Sequence, residues 1–201
     1  MNKLFFADID TQRDFMLPEG ALYVPGAERI IHKLQRLFDF ARKNEIHVLS
    51  TVDAHIPDDP EFEQFPAHCI QGTEGQRKLD ETMMPHPLVL KNQMIDRNLV
   101  EDVRKHLQII VEKQALDVFT NPVMDRLLRV LPPRAIVFGV TTEYCVLKAC
   151  LGLRRNGVQT VLVTDAVRAI SAQAENEALN VLRKEGVEFT TLDSLMGAGS
   201  K

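Results

Sequence analysis

The sequence predicts a three-layer α/β/α fold built on a central, mostly parallel β-sheet. Short, continuously apolar runs alternate along the chain with amphipathic segments of helical period. The apolar runs lack an in-out alternation, as strands covered on both faces do. Reactive side chains also collect just after these runs, where parallel sheets hold their ligands.

The first strand is Leu4-Phe5-Phe6-Ala7. Pro25-Gly26 opens a helix whose Ile30, Leu34, Leu37, Phe38 and Ala41 share one face. Residues 47–52 form the second strand, and a long loop containing Pro and Asp runs from Asp53 to about Gly75. Leu88-Val89-Leu90 and Ile109-Ile110-Val111 are further strands, separated by a polar helix over 99–106. Residues 123–131 read as a helix stopped by Pro132-Pro133. The clearest buried strand is 135–140, followed by a helix over 142–155 that Asn156-Gly157 ends. A strand over 160–163, a helix capped by Ser171 and running to Lys184, a stop at Gly186 and a strand over 187–191 complete the alternation. The 197–201 run imitates a phosphate-loop fragment with no helix behind it, so an unstructured terminus is expected. The length suits one domain over residues 1–201.

Hydrophobic residues at 45% and charged residues at 26% exclude general disorder. Lys and Arg number 24 against 28 Asp and Glu, for a net charge of −4 without a basic run, so nucleic-acid binding has no electrostatic support. No apolar stretch approaches the roughly 18 residues of a membrane span. The run 4–7 is cut by Asp8 and Asp10, too short for a signal-peptide core, and a cytoplasmic protein is expected. Three cysteines leave at least one thiol free and make no disulfide framework. No dinucleotide-binding glycine fingerprint follows a strand.

The residues just past strands are Asp8, Asp10, Asp53, His55, Lys113, Thr141 to Cys145, and Asp165. Cys145 lies between a buried strand and a helix, where the helix dipole favours thiolate and backbone N–H groups are available to an oxyanion. A buried structural cysteine is an equal reading of the same position. Cys150 fits that second reading better, and Cys69 fits either. A nucleophilic thiol needs a proton acceptor and a charge partner, roles open to Asp10 and Lys113, although spacing alone does not bring them together. Asp53, His55, Glu61 and His68 offer two imidazoles and two carboxylates, a set suited to zinc, iron or manganese rather than calcium. Loop side chains that merely face water are the competing reading.

The segment 10–15 (Asp-Thr-Gln-Arg-Asp-Phe), continued by 18–22 and 25–27, opens a set of motifs. The segment 139–146 (Gly-Val-Thr-Thr-Glu-Tyr-Cys-Val) and the later Val163-Thr164-Asp165-Ala166 complete it. Together they resemble the isochorismatase-like cysteine hydrolase superfamily, and its nicotinamidase branch in particular. The resemblance runs from Phe5 to about Leu192 and is poorest over the variable segment 77–107, which would shape an interface or lid. It implies Cys145 as nucleophile, Asp10 as acid/base and Lys113 as triad lysine. Lys91 competes, but the Phe-containing segment 116–121 follows Lys113 as in the family; Asp8 falls outside the motif position. The resemblance further implies a cis Val140–Thr141 peptide and an oxyanion hole from the Thr141 and Cys145 amides. Lys113 and the helix terminus would stabilise the Cys145 thiolate.

One divalent metal, zinc foremost, with iron or manganese as alternatives, would sit on Asp53, His55 and His68. Glu61 would be the fourth ligand and Glu63 a weaker substitute. The metal would hold a pyridine nitrogen. Phe15 and Phe65 would sandwich the ring, although plain core describes them equally well. The implied reaction converts nicotinamide to nicotinate and ammonia through a thioester, within pyridine nucleotide salvage. A homo-oligomer is compatible with the family. The rival readings are an amidase of the same superfamily acting on a carbamoyl or ureido compound, and an inactive binding domain.

Overall fold

The computed structural model describes residues 3–198. Seven strands pair in the order β3-β4-β2-β1-β5-β6-β7, all parallel. They are β1 (Phe5–Ile9), β2 (Val48–Asp53), β3 (Leu88–Leu90), β4 (Gln108–Lys113), β5 (Arg134–Val140), β6 (Gln159–Arg168) and β7 (Glu188–Thr190). The helices are α1 (Arg13–Met16), α2 (Ile31–Lys43), α3 (Leu99–Lys105), α4 (Met124–Leu128), α5 (Leu147–Arg155), α6 (Ala172–Lys184) and α7 (Leu192–Ala198).

The expected three layers are present, with a core on each face of the sheet. Successive strand residues point to opposite faces. Phe5, Ala7 and Ile9 of β1 therefore join Val103, Met124, Leu127, Leu153 and Leu182 of α3 to α6. Phe6 instead joins Leu34, Leu37 and Phe38 of α2 and Leu192 of α7. Phe138 of β5 packs edge-on against both Phe6 and Phe38. Truncating such a ring to Ala costs about 3–5 kcal/mol. Among the described residues no helix is long and apolar enough to cross a membrane.

Several elements depart from the expectation. β6 does not stop at Val163 but continues to Arg168, with its register against β5 shifting between Val137 and Gly139. Asp165 therefore lies within the strand instead of after it. The predicted helix 142–155 begins as one wide π turn, Thr142–Val146, before α5. α1 and α7 were not anticipated. The 197–201 run is described only through Ala198, where it completes α7; the rest lies outside the described residues. Segment 77–107 contributes the edge strand β3 and helix α3. Gly139 is dictated by close approach: its φ is +119°, and a Cβ there would stand 2.1 Å from the Ile9 carbonyl oxygen of the neighbouring strand.

Candidate active site

Four adjacent strands, β4, β2, β1 and β5, aim their carboxyl ends at one cavity. In that lateral order they deliver Lys113, Asp53, Asp10 and the turn bearing Cys145. Asp53 and Lys113 are register partners. Chain progression reverses around β1, which has β2 on one side and β5 on the other, and this switch point is where α/β sheets open a crevice.

Asp10 leaves β1 with φ +50°, a left-handed conformation uncommon for a non-glycine residue. Its Oδ1 accepts a hydrogen bond from Thr51 Oγ1 at 2.5 Å, and its Oδ2 stands 2.9 Å from Lys113 Nζ. The same ammonium donates to Asp53 Oδ1 and, at 3.5 Å, to Cys145 Sγ. Lys113 is 1% exposed and Cys145 7%. The Val140–Thr141 peptide is cis, and Tyr144 and Val146 N–H groups both donate to Thr141 O. The Thr141 N–H makes no hydrogen bond among the described residues.

Charge distribution follows from one buried ammonium between two carboxylates. Burial alone would lower Lys113, yet Asp10 and Asp53 hold its pKa well above the ordinary lysine value. Burial works against Asp53 too, but Lys113, His55 and His68 bring it well below the carboxylate range. Asp10 is raised, by burial and by Asp53 against the pull of Lys113. Cys145 is raised well above an ordinary thiol by burial, with Asp10 and Asp53 adding to it and Lys113 opposing. The expected helix-terminus effect, worth at most about 2 kcal/mol, and the Lys113 ammonium favour thiolate at Cys145, while burial and the two neighbouring carboxylates oppose it.

The second cluster adjoins the first through Asp53, whose Oδ2 lies 3.9 Å from His55 Nε2 and 3.8 Å from His68 Nε2. Glu61 Oε1 lies 3.9 and 3.8 Å from the same two nitrogens. His68 Nδ1 meets the Pro66 carbonyl at 2.7 Å, and because a carbonyl oxygen only accepts, Nδ1 is the donor of that bond. His55 Nδ1 lies 2.9 Å from the Asp59 carboxylate, but neither buried ring nitrogen makes a well-aligned hydrogen bond among the described residues. Burial and the nearby Asp53 raise the Glu61 carboxyl. An orphaned imidazole nitrogen among converging oxygen and nitrogen donors fits a transition metal, with the outer nitrogen of His68 held by the Pro66 carbonyl and that of His55 beside the Asp59 carboxylate. Glu63 points to solvent and takes no part.

Asp10, Asp53, Glu61, His68 and Cys145 line a mostly apolar cavity of about 210 Å³, walled by aromatic and aliphatic side chains that include Phe15, Leu22, Tyr23, Val24, Phe65, Leu116, Tyr144 and Ile170. That is below the ~300–1,000 Å³ typical of drug-sized ligands and suits a single small ring. Phe15 contacts the His68 ring, and Phe65 stands edge-on to Tyr144.

Other candidates fall outside the site. Lys91 is exposed after the edge strand β3. Asp8 pairs with Lys78 inside the protein. Asp165, expected to follow a strand and face the site, instead bonds Lys33 and the Leu192 N–H.

Two supporting residues were quoted in the opening motif without a role. The Gln12 side chain grips Asp53 on both sides, donating to its carbonyl at 2.8 Å and accepting from its N–H at 2.7 Å. The Asp14 carboxylate accepts from Cys69 N–H at 2.7 Å and Ala21 N–H at 3.0 Å, tying the His68 loop to the cavity wall.

The isochorismatase domain family matches residues 8–106 and 91–194. The nicotinamidase/pyrazinamidase of Mycobacterium tuberculosis is 26% identical over 191 residues, covering 90% of this chain and 95% of that protein. The nicotinamidase of Saccharomyces cerevisiae is 23% identical over 207 residues, covering 88% of this chain and 92% of that protein. Among solved structures, the pyrazinamidase of Pyrococcus horikoshii in complex with zinc superposes with a TM-score of 0.78 at 25% identity. It covers 94% of this chain and 99% of its own.

Proposed function

The chain is an amide-hydrolysing member of the isochorismatase family, and from that premise we propose that it is a nicotinamidase, converting nicotinamide to nicotinate and ammonia through a thioester on Cys145. The observation that carries this reading is the Lys113 ammonium, within 2.9 Å of Asp10 and 3.5 Å of the Cys145 sulfur, beneath a cavity that Asp10 and Cys145 line together with Asp53, Glu61 and His68.

Asp10, as carboxylate, takes the thiol proton while Cys145 Sγ attacks the amide carbon. The Thr141 and Cys145 N–H groups receive the oxyanion, each donor contributing about 3–4 kcal/mol. As the C–N bond breaks, Asp10 passes its proton to the departing nitrogen and ammonia leaves. Asp10 then removes a proton from water, which attacks the thioester carbonyl. The C–S bond breaks, the acid is released and the proton returns to sulfur. Lys113 stays charged throughout, balancing Asp53 and offsetting the negative charge that forms on sulfur.

Asp53, His55, His68 and Glu61 would hold one divalent metal, with zinc, iron and manganese all suited to the set. When bound it supplies a Lewis acid for the pyridine nitrogen. The zinc in the Pyrococcus horikoshii relative supports that identity. Phe15 and Phe65 flank the ring. Nicotinamide as substrate would place the enzyme in pyridine nucleotide salvage, and three free thiols support a cytoplasmic setting.

The test is ammonia release from nicotinamide and from a panel of carbamoyl and ureido compounds, with and without added zinc. Zinc-dependent release from nicotinamide alone is expected. Release only from the carbamoyl or ureido panel would move the substrate to the rival amidase class.

A further inference from the structure

Ile170 is 49% exposed, yet it also lines the cavity that ends on Cys145. It therefore sits at the mouth. The loop that carries it follows Arg168, the last residue of β6, whose side chain lies near Gly26, next to the cavity-lining Pro25. The Ile170 backbone is tied down: its N–H donates to Glu143 Oε1 at 2.8 Å. Glu143 belongs to the turn that carries Cys145. Its second oxygen is buried without a partner, so the bond to Ile170 is the hydrogen bond this carboxylate makes among the described residues.

We propose that Ile170 sets the upper size limit of the group reaching Cys145, and that Glu143 is the positioning residue that holds it there. The nucleophile turn and the mouth then form one unit. The inference rests on the proposed hydrolase only in taking Cys145 as the end of the substrate path.

The experiment compares alkylation of Cys145 by iodoacetamide and by the bulkier 2-iodo-N-phenylacetamide, read by peptide mass mapping. Ile170→Ala removes three carbons and should raise the bulky-to-small rate ratio at least about tenfold, the lower end of what one methylene is worth in an apolar pocket. Glu143→Ala should raise it several-fold. Glu143→Gln keeps an acceptor oxygen and should stay within about twofold of wild type, which a role resting on charge would not allow. An unchanged ratio in Ile170→Ala, or equal ratios in Glu143→Ala and Glu143→Gln, would overturn the proposal. Buried Cys69 and Cys150 report unfolding by becoming labelled, in which case Ile170→Val is read in place of Ile170→Ala. Alkylation needs no substrate, so a protein inert toward nicotinamide would fail the earlier reading while this ratio still decides the present one.

Discussion

Asp8 and Asp10 stand two positions apart at the end of β1, each facing a buried lysine, and the two pairs behave differently. Asp8 is saturated: Lys78 at 2.6 Å, Ser50 at 2.8 Å and Thr11 at 2.9 Å all donate to its carboxylate, and Lys78 also donates to Thr11. That cluster joins the long loop to the sheet and opens onto nothing. Asp10 shares its lysine with Asp53 and with a thiol, on a cavity wall. The same residue types give a fastener where every polar atom is paired, and the cluster proposed for catalysis where one ammonium is divided among three partners.

Replacing each lysine separates the two roles. Lys113→Met should lower turnover by folded enzyme by about a thousandfold or more, because Asp10 and Asp53 lose their shared cation and sulfur loses its charge partner. Lys78→Met should instead destabilise the fold by about 3–5 kcal/mol, as expected when one partner of a buried ion pair is removed. The folded fraction should keep most of its kcat. Denaturant titration and steady-state kinetics on both variants check this; a Lys78→Met enzyme that is stable but inactive would erase the distinction.

Metal removal probes the bridge through Asp53. Dialysis against a strong chelator should lower both turnover and Tm, and zinc should restore both. Ligand at a hundred times its Kd contributes about 2.7 kcal/mol of stability. A calorimetric Tm unmoved by chelator and by zinc would remove the metal from the account.

The smallest expected effect lies at Asp165, a half-exposed contrast to Asp10. Burial would raise its carboxyl, but Lys33 and the Leu192 N–H hold it below the usual value. A depressed folded pKa means stability that is present above the unfolded value near 4 and is lost as pH falls through the lower folded one. Because the pair is partly solvated, Asp165→Asn should cost under about 1 kcal/mol at neutral pH and nothing once the wild-type carboxyl is protonated. Urea midpoints at both pH values measure this.

Much of the site was legible because its signals are local. Apolar runs marked β1, β2, β4 and β5, and the groups following them converge as parallel strands require. Lys113 outranked Lys91 for a reason that topology makes physical: β4 is interior and β3 an edge, so one lysine is buried and the other faces water. What escaped depended on distant partners. The register shift in the strand pair that carries β6 past Asp165 falls between Val137 and Gly139, where Gly139 also fits closely against β1. The Asp8–Lys78 pair joins segments far apart in the chain. The helix terminus that favours a Cys145 thiolate is visible in sequence, while the desolvation and the two neighbouring carboxylates that oppose it are not.

The most direct measurement is ammonia release from nicotinamide by zinc-loaded wild-type and Cys145→Ala protein side by side, with bound zinc quantified in both. The account predicts release by wild type, none by Cys145→Ala and equal zinc in the two. Comparable release from Cys145→Ala would contradict the thioester, and with it the assignment of the Asp10, Lys113 and Cys145 cluster.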